Sequence, residues 1–270
     1  MGKREAFALV AIPLLVAAIV WLPPAVFLVV LGLVVVVAAD ELLAMARSAG
    51  HATGRWLPLL ATAGVMAASW CWGPAGVSAA TVATVIALPT LQLRHPRSPE
   101  GSLSGTAVAT FAALYLGLTG ACLGWLRTLP DGDLGIRLLL FFLATIWVGD
   151  SGAYYVGSRV GRHRMSPRIS PNKTWEGLAG SVVTTFAAAA ACKALFSLPF
   201  GWDHTMALAA ILAVAAPVGD LVESQLKRDT GVKDSSTLIP GHGGLLDRLD
   251  SLLLGAVATA ALALVGKVPL

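Results

Sequence analysis

The chain has 270 residues, 56% of them hydrophobic and 13% charged, with a mean hydropathy of +0.77 and a formal net charge of +4. A soluble domain carries about 25% charged residues, so this composition excludes a globule kept in water by its own surface and leaves a membrane protein. The pI near 9.2 calls for no nucleic-acid partner, because basic residues flanking membrane spans account for it.

About nine apolar runs, uncharged except for Lys193 in the seventh, follow one another at roughly 6–22, 25–39, 57–73, 75–93, 105–126, 138–149, 178–196, 206–219 and 252–266. They predict an all-α, polytopic membrane bundle of about nine transmembrane helices. Three runs, 25–39, 138–149 and 206–219, are shorter than the ~20 residues a bilayer asks for. They are expected to extend into their flanks or to pair as a re-entrant hairpin. Lys3 and Arg4 before the first run also fit the start of a cleaved leader, but no persuasive cleavage site follows, and a retained span is expected.

With the N-terminus in the cytoplasm, fifteen of the nineteen basic residues fall inside. Arg127, Arg137 and Lys267 fall outside, and Lys193 lies near an outer helix end. This bias is what the positive-inside rule demands. It puts both long polar loops, 150–177 and 220–251, on the cytoplasmic face, in a bacterial-type inner membrane.

The first half, 1–137, is poor in chemistry and is expected to be scaffold. Asp40 and Glu41 at the inner end of the second run are read as helix-capping groups, with a polar cleft as the alternative. His51, His95, His163 and His204 are read as solvated loop residues, and Cys71, Cys122 and Cys192 as packing residues without metal-ligand spacing. Residues 138–270 form the expected catalytic region.

Its first feature is Asp150-Ser-Gly-Ala-Tyr at the end of an apolar run. A basic loop with Arg159 and Arg162 follows, and then Ser170-Pro-Asn172-Lys173-Thr174-Trp-Glu-Gly. The basic loop suits a triphosphate or a lipid phosphate, although a plain inner loop explains its charge equally well. Next, Asp220, Glu223, Ser224 and Lys227 stand at i, i+3, i+4 and i+7, which is one helix face. Ionisable groups near a membrane interior mark function by default, while an amphipathic exit helix is the plain alternative. Last comes Lys233-Asp234, then the glycine turn Gly241-His242-Gly243-Gly244, then Asp247, Arg248, Asp250 and Ser251. A glycine turn entering a helix offers backbone N–H groups to an anion, and Asp247, Asp250 and Ser251 again share a face. Carboxylates from two helices, a glycine turn and basic residues are the parts for metal-assisted phosphoryl or nucleotidyl transfer.

Residues 224–250 resemble the signature of the phosphatidate cytidylyltransferases (CDP-diacylglycerol synthases). Its pattern is Ser, an aliphatic residue, Lys-Arg, Lys-Asp, then Pro-x-His-Gly-Gly-x-x-Asp-Arg-x-Asp. The resemblance extends over about 145–252, with one departure at Asn172, where relatives often carry a basic residue. It implies a homodimeric enzyme that uses one or two Mg²⁺ ions to transfer CMP from CTP to phosphatidic acid. In that reading Asp220 and Asp247 are principal metal ligands, with Asp250 and Glu223 completing the set. Asp220, Asp247, Lys227, Arg248 and Asp250 form the catalytic group. Substrate contacts fall to Asp150, Ser170, Lys173, Thr174, Glu223, Ser224, Arg228, Lys233, Asp234, Gly241, His242, Gly243 and Gly244. A CTP-using polyprenol kinase, a cytidylyltransferase for another lipid phosphate, and a transporter are the rival readings.

Overall fold

The computed structural model describes residues 3–93, 100–129, 132–239, 241 and 243–264. His95, His242 and Lys267, named above, lie outside the described residues, as do Arg94 and Arg97, two of the basic residues expected inside. The elements are α1 (Lys3–Trp21), α2 (Pro24–Ser48), α3 (Trp56–Gln92), α4 (Ser102–Arg127), α5 (Gly132–Val160), β1 (Arg164–Ser166), β2 (Ser170–Thr174), α6 (Trp175–Phe196), α7 (Trp202–Asp229) and α8 (Leu246–Leu264). Each apolar run coincides with helix as far as the described residues reach. Among the described residues six helices, α2 to α7, are long and apolar enough to cross a membrane. The three short runs do extend: α2 has 25 residues, α5 29 and α7 28. Pro23 caps α2 and Pro24 sits in its first turn, where a missing N–H does no harm.

The 37 residues of α3 are two helical arms. Gly73 adopts φ 58°, ψ −143°, a conformation reserved almost entirely for glycine. A side chain on Gly76 would strike the carbonyl of Ala68. In a straight helix those two residues would be about 12 Å apart, so the chain turns back at Gly73-Pro74. Leu88 accordingly packs in one cluster with Leu57 and Ala61 from the other arm. The sequence's separation of 57–73 from 75–93 corresponds to this turn.

The chain forms two compact units. The first comprises Met1–Pro13, Leu22–Trp125 and Lys227–Leu249, and the second Leu14–Trp21, Leu126–Leu226 and Asp250–Leu270. Residues 227–249 therefore group with the helices of the first half, across the boundary expected at 137.

In the first unit α2, α3 and α4 pack through small residues. Gly120 of α4 lies against Val35 and Met66, and Gly124 against Leu28 and Trp70. In membranes, where apolar surface gains little by leaving lipid, close packing through small residues is what holds helices together. Asp40 of α2 accepts from Arg55 Nε and Nη2 at 3.0 and 2.7 Å.

In the second unit α5 and α6 cross on glycines. Added side chains at Gly149 and Gly152 would hit Thr185 and Thr184, and one at Gly177 would meet the Ala153 carbonyl. Phe141, Phe142, Ile146, Leu208, Leu212 and Leu253 are buried in this unit. A small antiparallel hairpin, β1 with β2, interrupts the all-helical pattern and pairs Arg164 with Thr174 and Ser166 with Ser170. The Glu176 carboxylate ties its base, accepting from the Arg162 and His163 backbone N–H groups and pairing with His163 Nδ1 at 2.6 Å. His163 is thus a partnered residue, not a merely solvated one. Of the cysteines, Cys192 is buried as expected, whereas Cys71 is exposed.

Candidate active site

The second unit brings three carboxylates and one ammonium together. Lys173 is the last residue but one of strand β2, and its Nζ stands 2.7 Å from Asp220 Oδ2 and 3.5 Å from the Pro217 carbonyl oxygen. Asp220 lies on α7, which continues as a helix through the polar segment as its spacing requires. One turn on, Ser224 Oγ donates to Asp220 Oδ1 at 3.2 Å. Asp150 on α5 hydrogen-bonds with the Ser251 side chain and lies within electrostatic reach of Asp250, Asp220 and Lys173. A side chain at Gly219 would collide with the Asp250 carbonyl, so this glycine lets α7 and α8 approach at the level of their carboxylates. The Lys173–Asp220 pair remains open, with side chains 22% and 35% exposed.

The first unit holds a second Lys–Asp pair of opposite character. Lys227 Nζ donates to Asp247 Oδ1 at 2.6 Å, and both side chains are buried. Asp247 Oδ2 accepts from the Ser235 N–H at 2.8 Å, the Ser235 hydroxyl at 2.7 Å and the Gly244 N–H at 2.8 Å. Asp247 precedes the apolar part of α8. Burial pushes its carboxyl upward, but Lys227 and the Gly244 and Ser235 donors outweigh that and hold it at about 2.

The glycine turn closes with the Ile239 N–H on the Gly243 carbonyl at 2.8 Å, and Gly241 and Gly243 take φ of 79° and 78°. The N–H groups at its end and just after it meet the protein's own anions. Gly244 N–H serves Asp247, while the Leu245 and Leu246 N–H groups donate to Glu41 of α2 at 3.1 and 2.8 Å.

The remaining candidates have varied surroundings. Thr174 is buried and caps α6, accepting from the Gly177 N–H at 3.1 Å. Ser170 opens β2 and is half-buried, and Glu223 is fully buried on α7. Arg228 donates to the Val232 carbonyl at 3.0 Å. Lys233, Asp234 and Arg248 are exposed. Glu41, Ser235, Ser236 and Gly219 were not singled out for the site by sequence. The signal for Glu41 was present: an acid at the end of a long apolar run is expensive there.

Among the described residues no three His, Cys, Asp or Glu side chains are grouped to hold a metal ion. The donor chemistry nevertheless suits a hard cation. Asp150 lies within electrostatic reach of Asp220, Asp250 and Lys173, and Lys173 pairs with Asp220, a gathering of carboxylates that suits an oxygen-preferring divalent ion with substrate phosphates as further ligands. Both expected principal ligands, Asp220 and Asp247, already hold a lysine cation at 2.7 and 2.6 Å.

The model of the cytidylyltransferase family matches residues 2–265. The chain belongs to this family. The phosphatidate cytidylyltransferase of Mycobacterium bovis is 33% identical over 262 residues, which cover 92% of this chain and 83% of the relative. That of Bacillus subtilis is 41% identical over 145 residues, covering 53% of each chain. That of Brucella suis is 39% identical over 159 residues, 59% of this chain and 56% of the relative. Against these last two cytidylyltransferases the matched chain spans about half the relative's length.

Proposed function

We propose that this cytidylyltransferase-family chain transfers CMP from CTP to phosphatidic acid, giving CDP-diacylglycerol and pyrophosphate. The observation that carries this reading is the open Lys173–Asp220 pair with Asp150 and Asp250 beside it. The names of the relatives supply the substrates. Asp220 and Asp250 would hold Mg²⁺, with Asp150 adding charge. Asp247 remains a proposed ligand on the strength of the resemblance, and its carboxylate would first have to release Lys227. Bound there, Mg²⁺ would neutralise phosphate charge and polarise the α-phosphorus of CTP.

The chain's own residues do the rest by placement and charge. Lys173, which neutralises Asp220 here, is positioned to turn to a substrate phosphate. Exposed Lys233 and Arg248 are available to the triphosphate. A phosphatidate oxygen attacks the α-phosphorus in line, the bond to the β-phosphate oxygen breaks, and pyrophosphate leaves. No protein nucleophile is needed. The diacyl tails stay in lipid, so a polar cleft has only the head group to receive.

The topology belongs to the same proposal: nine crossings in an inner membrane, with the N-terminus and the catalytic loops in the cytoplasm and a homodimer as the assembly. The turn at Gly73 supports it by dividing α3 into two arms. Trp21, Trp56, Trp72, Trp175 and Trp202 are exposed at helix ends, where aromatic belts lie.

The test supplies purified protein with Mg²⁺, phosphatidic acid and CTP labelled at either the α- or the γ-phosphate. The proposal requires the α label in the lipid and the γ label in pyrophosphate. A γ label in the lipid with release of CDP would make the protein a lipid kinase instead.

A further inference from the structure

The first half of the chain, expected to be scaffold, contributes a buried carboxylate to the signature segment. Glu41 of α2 is 7% exposed and accepts four hydrogen bonds from residues 194 to 205 positions away in sequence. The donors are the hydroxyls of Ser236 at 2.6 Å and Ser235 at 3.1 Å, and the N–H groups of Leu246 at 2.8 Å and Leu245 at 3.1 Å. Two of these belong to the start of α8, where the helix dipole favours an anion. The other two belong to the loop after α7.

Glu41 therefore fastens together the two strands of chain that also grip Asp247. Ser235 touches both carboxylates, 3.1 Å from Glu41 and 2.7 Å from Asp247, and its single hydroxyl proton serves one of them at a time. Gly244 donates to Asp247 and has no room for a side chain, which would run into Ser235 Oγ and the Glu41 carboxylate. Every partner of Glu41 is a donor, so an acceptor-only carboxylate satisfies Ser236, Leu245 and Leu246 together, and Ser235 whenever its proton is not on Asp247. A glutamine of the same length would turn its own N–H₂ toward one of them.

We propose that Glu41 is a positioning residue for the transfer reaction, holding the 235–246 segment so that Asp247 keeps its place. This rests on the catalytic role proposed above for Asp247. Misplacement by about an ångström far from the chemistry can lower turnover roughly a hundredfold, and this is the kind of error that loss of Glu41 introduces.

The test compares wild type, Glu41→Gln, Glu41→Asp, Ser236→Ala and Asp247→Asn in the α-labelled CTP assay, with amide hydrogen exchange over 235–246. Glu41→Gln is expected to lower kcat at least about tenfold while the KM values for CTP and phosphatidic acid stay within about twofold. Exchange should quicken at 244–246 but not along α4, and Glu41→Asp should recover part of the lost turnover. An unchanged kcat in Glu41→Gln overturns the proposal, and so does a raised KM with kcat intact, which would make Glu41 a substrate contact. Should Glu41→Gln fail to fold, Ser236→Ala decides. It removes one donor from Glu41 and none from Asp247, and normal turnover with normal exchange would refute positioning. Full activity in Asp247→Asn, by contrast, sinks the underlying reading of Asp247 and is seen independently of the Glu41 variants.

Discussion

The same ion pair, lysine with aspartate, occurs twice in this protein and is built in two ways. Lys173–Asp220 in the second unit is partly exposed, with Asp150 and Asp250 close by. Lys227–Asp247 in the first unit is buried, and every lone-pair direction it uses is met by Ser235, Gly244 or the lysine. A carboxylate surrounded by donors is a fastening, because each partner adds a constraint and leaving one unsatisfied costs about 1–3 kcal/mol. A carboxylate crowded by other carboxylates and served by one lysine is an exchangeable site, because another cation can replace the ammonium at little cost in order. Cation and phosphate exchange fall to the open Lys173–Asp220 pair, whereas Lys227–Asp247 is held rigidly in place, and the proposed part of Asp247 in the reaction depends on that placement.

The sharpest break between them is expected at Asp220. Asp220→Asn should lower CMP transfer about a hundredfold or more, as loss of a main electrostatic group does, while the thermal unfolding midpoint hardly moves. Asp247→Asn should also lose turnover, but it strands the buried Lys227 ammonium and should cost about 3–5 kcal/mol of stability. Thermal unfolding of the variant and of the Lys227→Met, Asp247→Asn double variant checks this, the double being more stable than the single. Equal stabilities for Asp220→Asn and Asp247→Asn would erase the distinction.

Smaller effects refine it. Gly219→Ala inserts a methyl against the Asp250 carbonyl and should cost about 1–3 kcal/mol through overpacking. Its turnover should fall more than its melting point suggests, because the added group separates the helices that carry Asp220 and Asp250. Thr174→Ala removes only the cap of α6 and should cost about 1 kcal/mol, with transfer activity near normal at low temperature. A complete loss of transfer in Thr174→Ala would instead make this residue a substrate contact.

Much of this was legible in the sequence. The spacing of Asp220, Glu223, Ser224 and Lys227 gave one helix face, and α7 runs through it unbroken. The apolar runs coincide with helices, and the break between the runs 57–73 and 75–93 falls at the turn inside α3. Pairing across long separations was not legible. Nothing local tells Lys173 to choose Asp220, or Glu41 to reach Ser235 and Leu246, because such contacts are set by helix packing through glycines at 120, 124 and 219. The anion-binding turn shows the same limit. The Gly244 N–H does meet an anion, but it is the chain's own Asp247 carboxylate, and the Leu245 and Leu246 N–H groups that follow are taken by Glu41. The short hairpin of β1 and β2 was hidden because a five-residue strand with a proline and an asparagine carries no alternation signal.

The most direct measurement is divalent-ion binding to the purified protein, followed by the electron paramagnetic resonance of Mn²⁺ in the absence of nucleotide. The account predicts saturable binding by the wild type that Mg²⁺ displaces, weakened at least about tenfold, or about 1.4 kcal/mol, in Asp220→Asn. Equal Mn²⁺ affinity in the two proteins, or no saturable binding by the wild type, would contradict the claim that Asp220 and its neighbouring carboxylates form an exchangeable cation site.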